Sequence, residues 1–174
     1  MEYVNGEGGQ TPPKLVEYIN PRLNKWRVRW NVENQTMTED DGTERPYTTF
    51  IETDFNHKPT LSEIKNAVLG WYNTIIDEKI KSGYTWNGIS VWLSSENQFN
   101  YKAAYDLAVQ SNGSSLPITF KFGTTENPIY HEFTTLEDLT NFYSGALAWI
   151  NTTLSEGWQM KDTLDWSDYE SLLA

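Results

Sequence analysis

The chain has 174 residues, with 24 acidic against 13 basic side chains, no cysteine, and 14% aromatic residues. That composition excludes a disulfide scaffold, a thiolate metal site and a cysteine nucleophile, and a net charge of −11 argues against ordinary binding of a phosphate backbone. The length suits one domain with an N-terminal appendage, large enough to bury a core without cross-links.

No stretch approaches the ~18 consecutive apolar residues of a transmembrane helix. The first residues lack the basic start and apolar core of a secretory signal, so no signal peptide is expected. Charge is uneven along the chain: Met1 to Thr60 holds seven basic and ten acidic residues, and Glu96 to Ala174 three and eleven. This asymmetry offers head-to-tail attraction between copies or with a partner. The plain alternative is a solvated face that keeps the chain soluble.

Met1 to Asn20 is rich in Gly, Pro and polar residues (Gly6, Gly8, Gly9, Pro12, Pro13) and is expected to stay extended or disordered until something holds it. From Lys25 to Val32 the chain alternates, with Trp26, Val28, Trp30 and Val32 on one face and Lys25, Arg27, Arg29 and Asn31 on the other. Period two predicts a strand with one buried face. Glu39-Asp40-Asp41-Gly42 forms a turn cluster, and Pro46 to Asp54 gives the returning strand of a hairpin.

Thr60 and Glu63 stand at capping-box spacing and open a helix whose stripe is Ile64, Val68, Trp71, Ile75 and Ile80. Gly83 stops it after Lys79 and Lys81, which suit its negative end. Asn87-Gly88 between alternating runs then predicts a two-residue type I′ turn, because both positions need positive φ. In that register Tyr84 opposes Val91 and Trp86 opposes Ile89. Tyr84, Trp86, Ile89, Val91 and Leu93 share the core face, while Trp92 points the other way.

Ser95-Glu96-Asn97-Gln98 opens a second helix, with Tyr101, Ala104, Tyr105 and Ala108 on one face and Asn112-Gly113 at its end. Strands follow at Leu116 to Phe122 and Ile129 to Phe133. Thr134-Thr135-Leu136-Glu137-Asp138 starts a third helix, which carries Leu136, Leu139, Phe142, Tyr143, Ala146, Trp149, Ile150 and Leu154 to a cap at Gly157. The segment Asp162-Thr163-Leu164-Asp165-Trp166-Ser167-Asp168-Tyr169 ends in a short helical tail. The order ββ-α-ββ-α-ββ-α predicts an α+β fold of antiparallel hairpins packed against three α-helices. Residues 1–57 read as an extended leader with an N-terminal hairpin, and 58–174 as the α+β domain.

The two histidines offer little chemistry. His57 lies in the turn Asp54 to Pro59 with only Asp54 nearby in sequence, and His131 and Glu132 face opposite sides of a strand. No nucleophile elbow, phosphate loop, zinc-protease helix or dinucleotide fingerprint is present. The many carboxylates leave a glycosidase-type pair without any specific pointer. No catalytic, cofactor-binding or metal-binding residue is assigned, and the chain reads as a non-enzyme.

Eight tryptophans and ten tyrosines suit interfaces or sugar stacking as well as cores. Periodicity assigns Trp71, Trp86 and Trp149 to packing. Trp26, Trp30, Trp92, Trp158 and Trp166 remain as candidates for a binding surface.

Ser82-Gly83-Tyr84-Thr85-Trp86-Asn87-Gly88, followed by Val91-Trp92-Leu93-Ser94-Ser95-Glu96-Asn97-Gln98-Phe99-Asn100, resembles a phage and prophage domain family of unknown function common in gut Bacteroidales. The family pattern is a helix, an aromatic-x-aromatic-x-Gly hairpin, a Leu-Ser opening and an Asn/Gln-rich helix start. Leu116-Pro117, the Tyr130 to Phe133 strand and Phe142-Tyr143 extend the resemblance from Lys58 to about Tyr169. Members are often encoded among tail or virion-structural genes and offer no catalytic residues to transfer. The resemblance thus implies a context rather than a mechanism.

The resulting expectation is a virion- or tail-associated structural or assembly module. It would contact other phage structural proteins or a second copy through Trp26, Arg27, Arg29, Trp30 and Trp92, the N-terminal strands supplying much of the docking. Neither nucleic acid nor membrane is an expected partner, and the location is the virion or the host bacterial cytoplasm. Two alternatives stay open: a small acidic inhibitor of a host DNA-binding protein, and a carbohydrate-binding module using exposed tryptophans.

Overall fold

The computed structural model describes residues 2–9 and 11–174. The chain is α+β, with antiparallel sheets and four α-helices among the described residues. It divides into two compact units: the chain up to Tyr72 together with Thr163–Ala174, and Asn73–Asp162. This division falls inside the first long helix rather than at the 57/58 boundary expected from composition.

In the first unit, strands β3 (Lys25–Thr38) and β4 (Glu44–Phe55) form the expected hairpin. Its turn is closed by Gly42 N–H donating to Glu39 O and by Thr43 N–H donating to Asp41 Oδ1, both at 2.9 Å. Strand alternation aims Trp26, Val28 and Trp30 at one face. There they pack with Ile64, Ala67, Val68 and Tyr72 of helix α1 (Leu61–Ser82) and with Tyr169 of helix α4 (Ser167–Leu173). A bulge between Trp30 and Glu33, with Asn31 at φ 51°, bends β3 where its pairing register shifts.

Among the described residues the leader is not loose, which corrects the expectation for residues 2–9 and 11–20, Met1 and Gln10 lying outside the described residues. Strand β1 (Val4–Gly8) pairs with β4, and β2 (Val16–Asn20) pairs with β3, giving the sheet order β1-β4-β3-β2. Glycine and polar content argued for disorder, but exposed strand edges supply backbone partners that local composition does not reveal. Side chains add anchors: Thr53 Oγ1 donates to Glu2 O at 2.8 Å, and Thr48 Oγ1 to Gly9 O at 3.3 Å.

The second unit continues α1 from Asn73 and adds hairpin β5 (Tyr84–Trp86) and β6 (Ile89–Val91), helix α2 (Ser95–Gln110), hairpin β7 (Ile118–Gly123) and β8 (Pro128–Phe133), and helix α3 (Leu136–Asp162). Asn87 and Gly88 take φ 49° and 78°, and Tyr84↔Val91 and Trp86↔Ile89 are the cross-strand pairs, as the Asn-Gly turn predicted. Phe142 sits at the centre of the core, with ring centroids of Tyr101, Phe122 and Phe133 between 5.1 and 5.2 Å away. Leu93, Leu139 and Ala146 complete its shell.

Three details depart from the expected pattern. The element order gains two leader strands and a fourth helix. Ile75 is exposed, and Ile76, one position along, is buried in its place. Helix α3 runs through Gly157 to Asp162, so Gly157 is not a cap. Its missing side chain instead makes room for Ile76, whose Cδ1 would stand 2.4 Å from an added Cβ.

Candidate functional site

Four of the five residues expected to meet a partner are engaged within the first unit. Trp30 is only 4% exposed, edge-on to Tyr3 and Trp71, and its indole N–H has no hydrogen-bond partner among the described residues. Trp26 is half-buried, stacked on Tyr18 at 4.6 Å, and donates from Nε1 to Asn24 Oδ1. The aromatic stripe therefore builds the unit's interior and margin.

The two arginines lie on the opposite face of the sheet, in a ladder of ion pairs. Arg27 makes a two-pronged contact with Asp54 at 2.7 and 3.1 Å and a further one with Glu52 at 2.9 Å. Its hydrogen bond holds the Asp54 carboxyl below the ordinary carboxylate range, and the same contact raises the guanidinium. Arg29 is 8% exposed, lies over the Phe50 ring, and donates to Glu52, Glu17 and the carbonyl of Lys14 at 2.8 to 3.0 Å. Both guanidinium groups are answered inside the unit. Arg29 and Trp30 are thus removed from the docking set because burial leaves a partner nothing to cover.

Trp92 differs. It is 48% exposed, on the second unit, and its ring makes no aromatic contact among the described residues. The chain beside it is pinned by three sequence features. Leu93 N–H donates to Lys81 O, Asn97 Nδ2 donates to Trp92 O at 2.8 Å, and Gln98 Nε2 donates to Leu93 O at 2.7 Å. Ser94 then caps α2 by accepting from Asn97 N–H. Because neighbouring residues of an extended segment face opposite ways, Leu93 enters the core as Trp92 leaves it.

The two directions open onto two concavities. On the Leu93 side, α2 and α3 leave a trough of about 300 Å³ whose lining includes Phe99, Tyr143, Leu147 and Ile150, with Lys102 at its margin. Phe99 is 71% and Leu147 41% exposed. On the Trp92 side, a wider cleft of about 640 Å³ runs toward the β7–β8 turn. Sequence reasoning missed both Phe99 and Leu147. Their signal was present: Phe99 is an aromatic off the Tyr101-Ala104-Tyr105-Ala108 face, and Leu147 widens the apolar stripe of α3 beyond what one core needs.

Both histidines are engaged with neighbouring elements. His57 Nε2 meets Glu63 Oε1 at 2.8 Å, and Glu63 accepts from the backbone and hydroxyl of Thr60, bonds that hold its carboxyl down at about 2. This is the capping box with a histidine added. His131 lies against Phe122 and Phe133. Among the described residues, no three His, Asp or Glu side chains gather to hold a metal ion, and no helix is long and apolar enough to cross a membrane. Compared with protein-family models, curated proteins and solved structures, the chain matches none.

Proposed function

We propose that the protein is a non-enzymatic interaction module of a bacteriophage or prophage particle, acting in the virion or during its assembly in the host cytoplasm. It contacts another structural protein of that particle through the trough between α2 and α3. The observation that carries this reading is the pair Phe99 and Leu147, large apolar side chains left open on either side of a concave apolar floor. Covering a phenylalanine is worth roughly 1.5–3 kcal/mol, and adjoining apolar surfaces of this kind mark protein contacts. The phage setting rests on the resemblance carried by the Tyr84 to Asn100 segment.

Charge selects the kind of partner. Helix α2 carries Glu96 and Asp106 against Lys102, and α3 carries Glu137, Asp138, Glu156 and Asp162 against Lys161. Two copies of such net-acidic helices repel through their overall charge, although Lys102 is the one charged side chain lining the trough itself, whereas a basic segment with apolar anchors is attracted to the acidic surroundings. The occupant is therefore a basic, apolar-anchored segment of a different particle protein. Nucleic acid and membrane are not partners in this reading.

The test is retention of the protein on purified particles or assembly intermediates from cells producing the phage. Phe99→Glu should lower retention by about tenfold or more, the loss of ~1.4 kcal/mol or more of contact, with an unchanged melting temperature. Equal retention of the variant, or no association of the native chain with any particle protein, overturns the proposal. Association solely with a second copy replaces the partner by a self-contact and also overturns it.

A further inference from the structure

We infer that the cleft beside Trp92 is a subsite for a neutral saccharide, a hexose or N-acetylhexosamine unit seated with its C–H face on the indole. The cleft, about 640 Å³, falls within the range of roughly 300–1,000 Å³ typical of small-ligand sites. Its floor is apolar and closed, formed by Val91 and Phe122, both almost fully buried. Its rim carries the short hydroxyl side chains of Ser90, Thr124 and Thr125 and the charged side chains of Lys121 and Glu126, all exposed. Trp92 is the one large exposed apolar side chain among the residues that line it.

That combination selects by elimination among ligand chemistries. An apolar peptide would find a single ring to cover and a rim of hydroxyls to desolvate, which is a poor exchange. An anion would meet Lys121 with Glu126 on the same rim. A metal ion would find one carboxylate. Nucleobases also stack on indole, but their phosphates would approach a chain of net charge −11. A neutral sugar ring has one face of C–H groups and an edge of hydroxyls that both donate and accept. The indole face answers the first, and hydroxyl, ammonium and carboxylate groups answer the second.

The site is built on held elements. Asn97 fixes the Trp92 carbonyl at 2.8 Å, and the β7–β8 turn is closed on itself by Thr124 N–H to Asn127 O at 3.2 Å and Asn127 N–H to Thr124 Oγ1 at 3.1 Å. Preorganised walls of this kind lower the ordering cost of a weak ligand. The inference does not depend on the trough: Leu93 and Phe99 line one concavity and Trp92 the other.

The experiment uses the full chain labelled with ¹⁵N at its indole groups. It is titrated with neutral hexasaccharides of glucose, N-acetylglucosamine, mannose and galactose to millimolar concentration, with a thymidine oligonucleotide and a basic apolar peptide in parallel. At least one saccharide should move the Trp92 Nε1–H resonance saturably. Trp92→Ala should weaken that saccharide by about tenfold or more. Trp92→Tyr should keep most of the affinity, and Leu23→Glu, at an exposed position of the first unit, should leave it unchanged. Circular dichroism of each variant establishes that it is folded. No saturable shift with any neutral saccharide, undiminished binding by Trp92→Ala, or a shift of that resonance produced only by the oligonucleotide or the peptide overturns the inference.

Discussion

The Tyr169 hydroxyl donates to the main-chain carbonyl of Arg29 at 2.6 Å, tying the last helix to a strand 140 positions earlier. Tyr169 is buried among Val28, Trp30 and the first turns of α1, so the C-terminal tail is part of the first unit's core. The N-terminal strands are held by it.

Tyr169→Phe keeps the ring and removes the hydrogen bond. A buried carbonyl left without its donor costs about 1–3 kcal/mol, and that loss should appear as a lower urea midpoint with an unchanged slope. An unchanged midpoint would show that the bond contributes nothing net.

Alkaline pH should weaken both units. Burial pushes Tyr101 up to about 12 and raises Tyr72, Tyr84 and Tyr169 as well. Unfolded tyrosine ionises near ~10, so the folded chain holds these protons more tightly than the unfolded one. Stability is therefore full below about pH 10 and falls as pH rises from there toward about 12. Urea midpoints that stay level from about pH 9 to 11.5 would contradict this.

Deleting residues 1–57 removes β1 to β4 and uncovers Ile64, Ala67, Val68 and Tyr72 on α1. The remainder should aggregate or lose one cooperative transition, as exposed apolar stripes do. A monomeric fragment melting as sharply as the full chain would restore the N-terminal third as a separate docking element.

How far the sequence could be read depended on the range of the cause. Asn87-Gly88, the Thr60/Glu63 box and the Trp26-Val28-Trp30 alternation act over a few residues, and each lies where its local chemistry put it. The leader strands, Tyr169 and Gly157 answer to partners far along the chain, which periodicity does not encode. The same limit governed the candidate site. Trp92 stood out because its hairpin register was fixed locally, but Trp30 and Arg29 looked surface-bound until β1, β2 and α4 covered them. Phe99 and Leu147 became a pair only once α2 and α3 lay side by side.

Gly157→Ala sets two effects against each other. Alanine gains about 1 kcal/mol of helix propensity, while the new Cβ stands 2.4 Å from Ile76 Cδ1 and 2.7 Å from its Cγ1. Overpacking of that degree costs roughly 1–3 kcal/mol, so the melting temperature should fall or at best hold. A clear rise would mean that Ile76 yields freely and that the close approach is not what Gly157 provides.

Under the proposed function, the α2–α3 trough is the face this protein presents to another particle protein. A photo-crosslinking amino acid placed at Phe99, in cells producing the particle, tests it most directly, with the same group at exposed Leu23 of the first unit as the control. The expected result is a discrete adduct between position 99 and one particle protein, joined through a basic, apolar segment, and no such adduct from position 23. Adducts from position 23 but not from 99, or adducts from 99 only to a second copy of this chain, would contradict it.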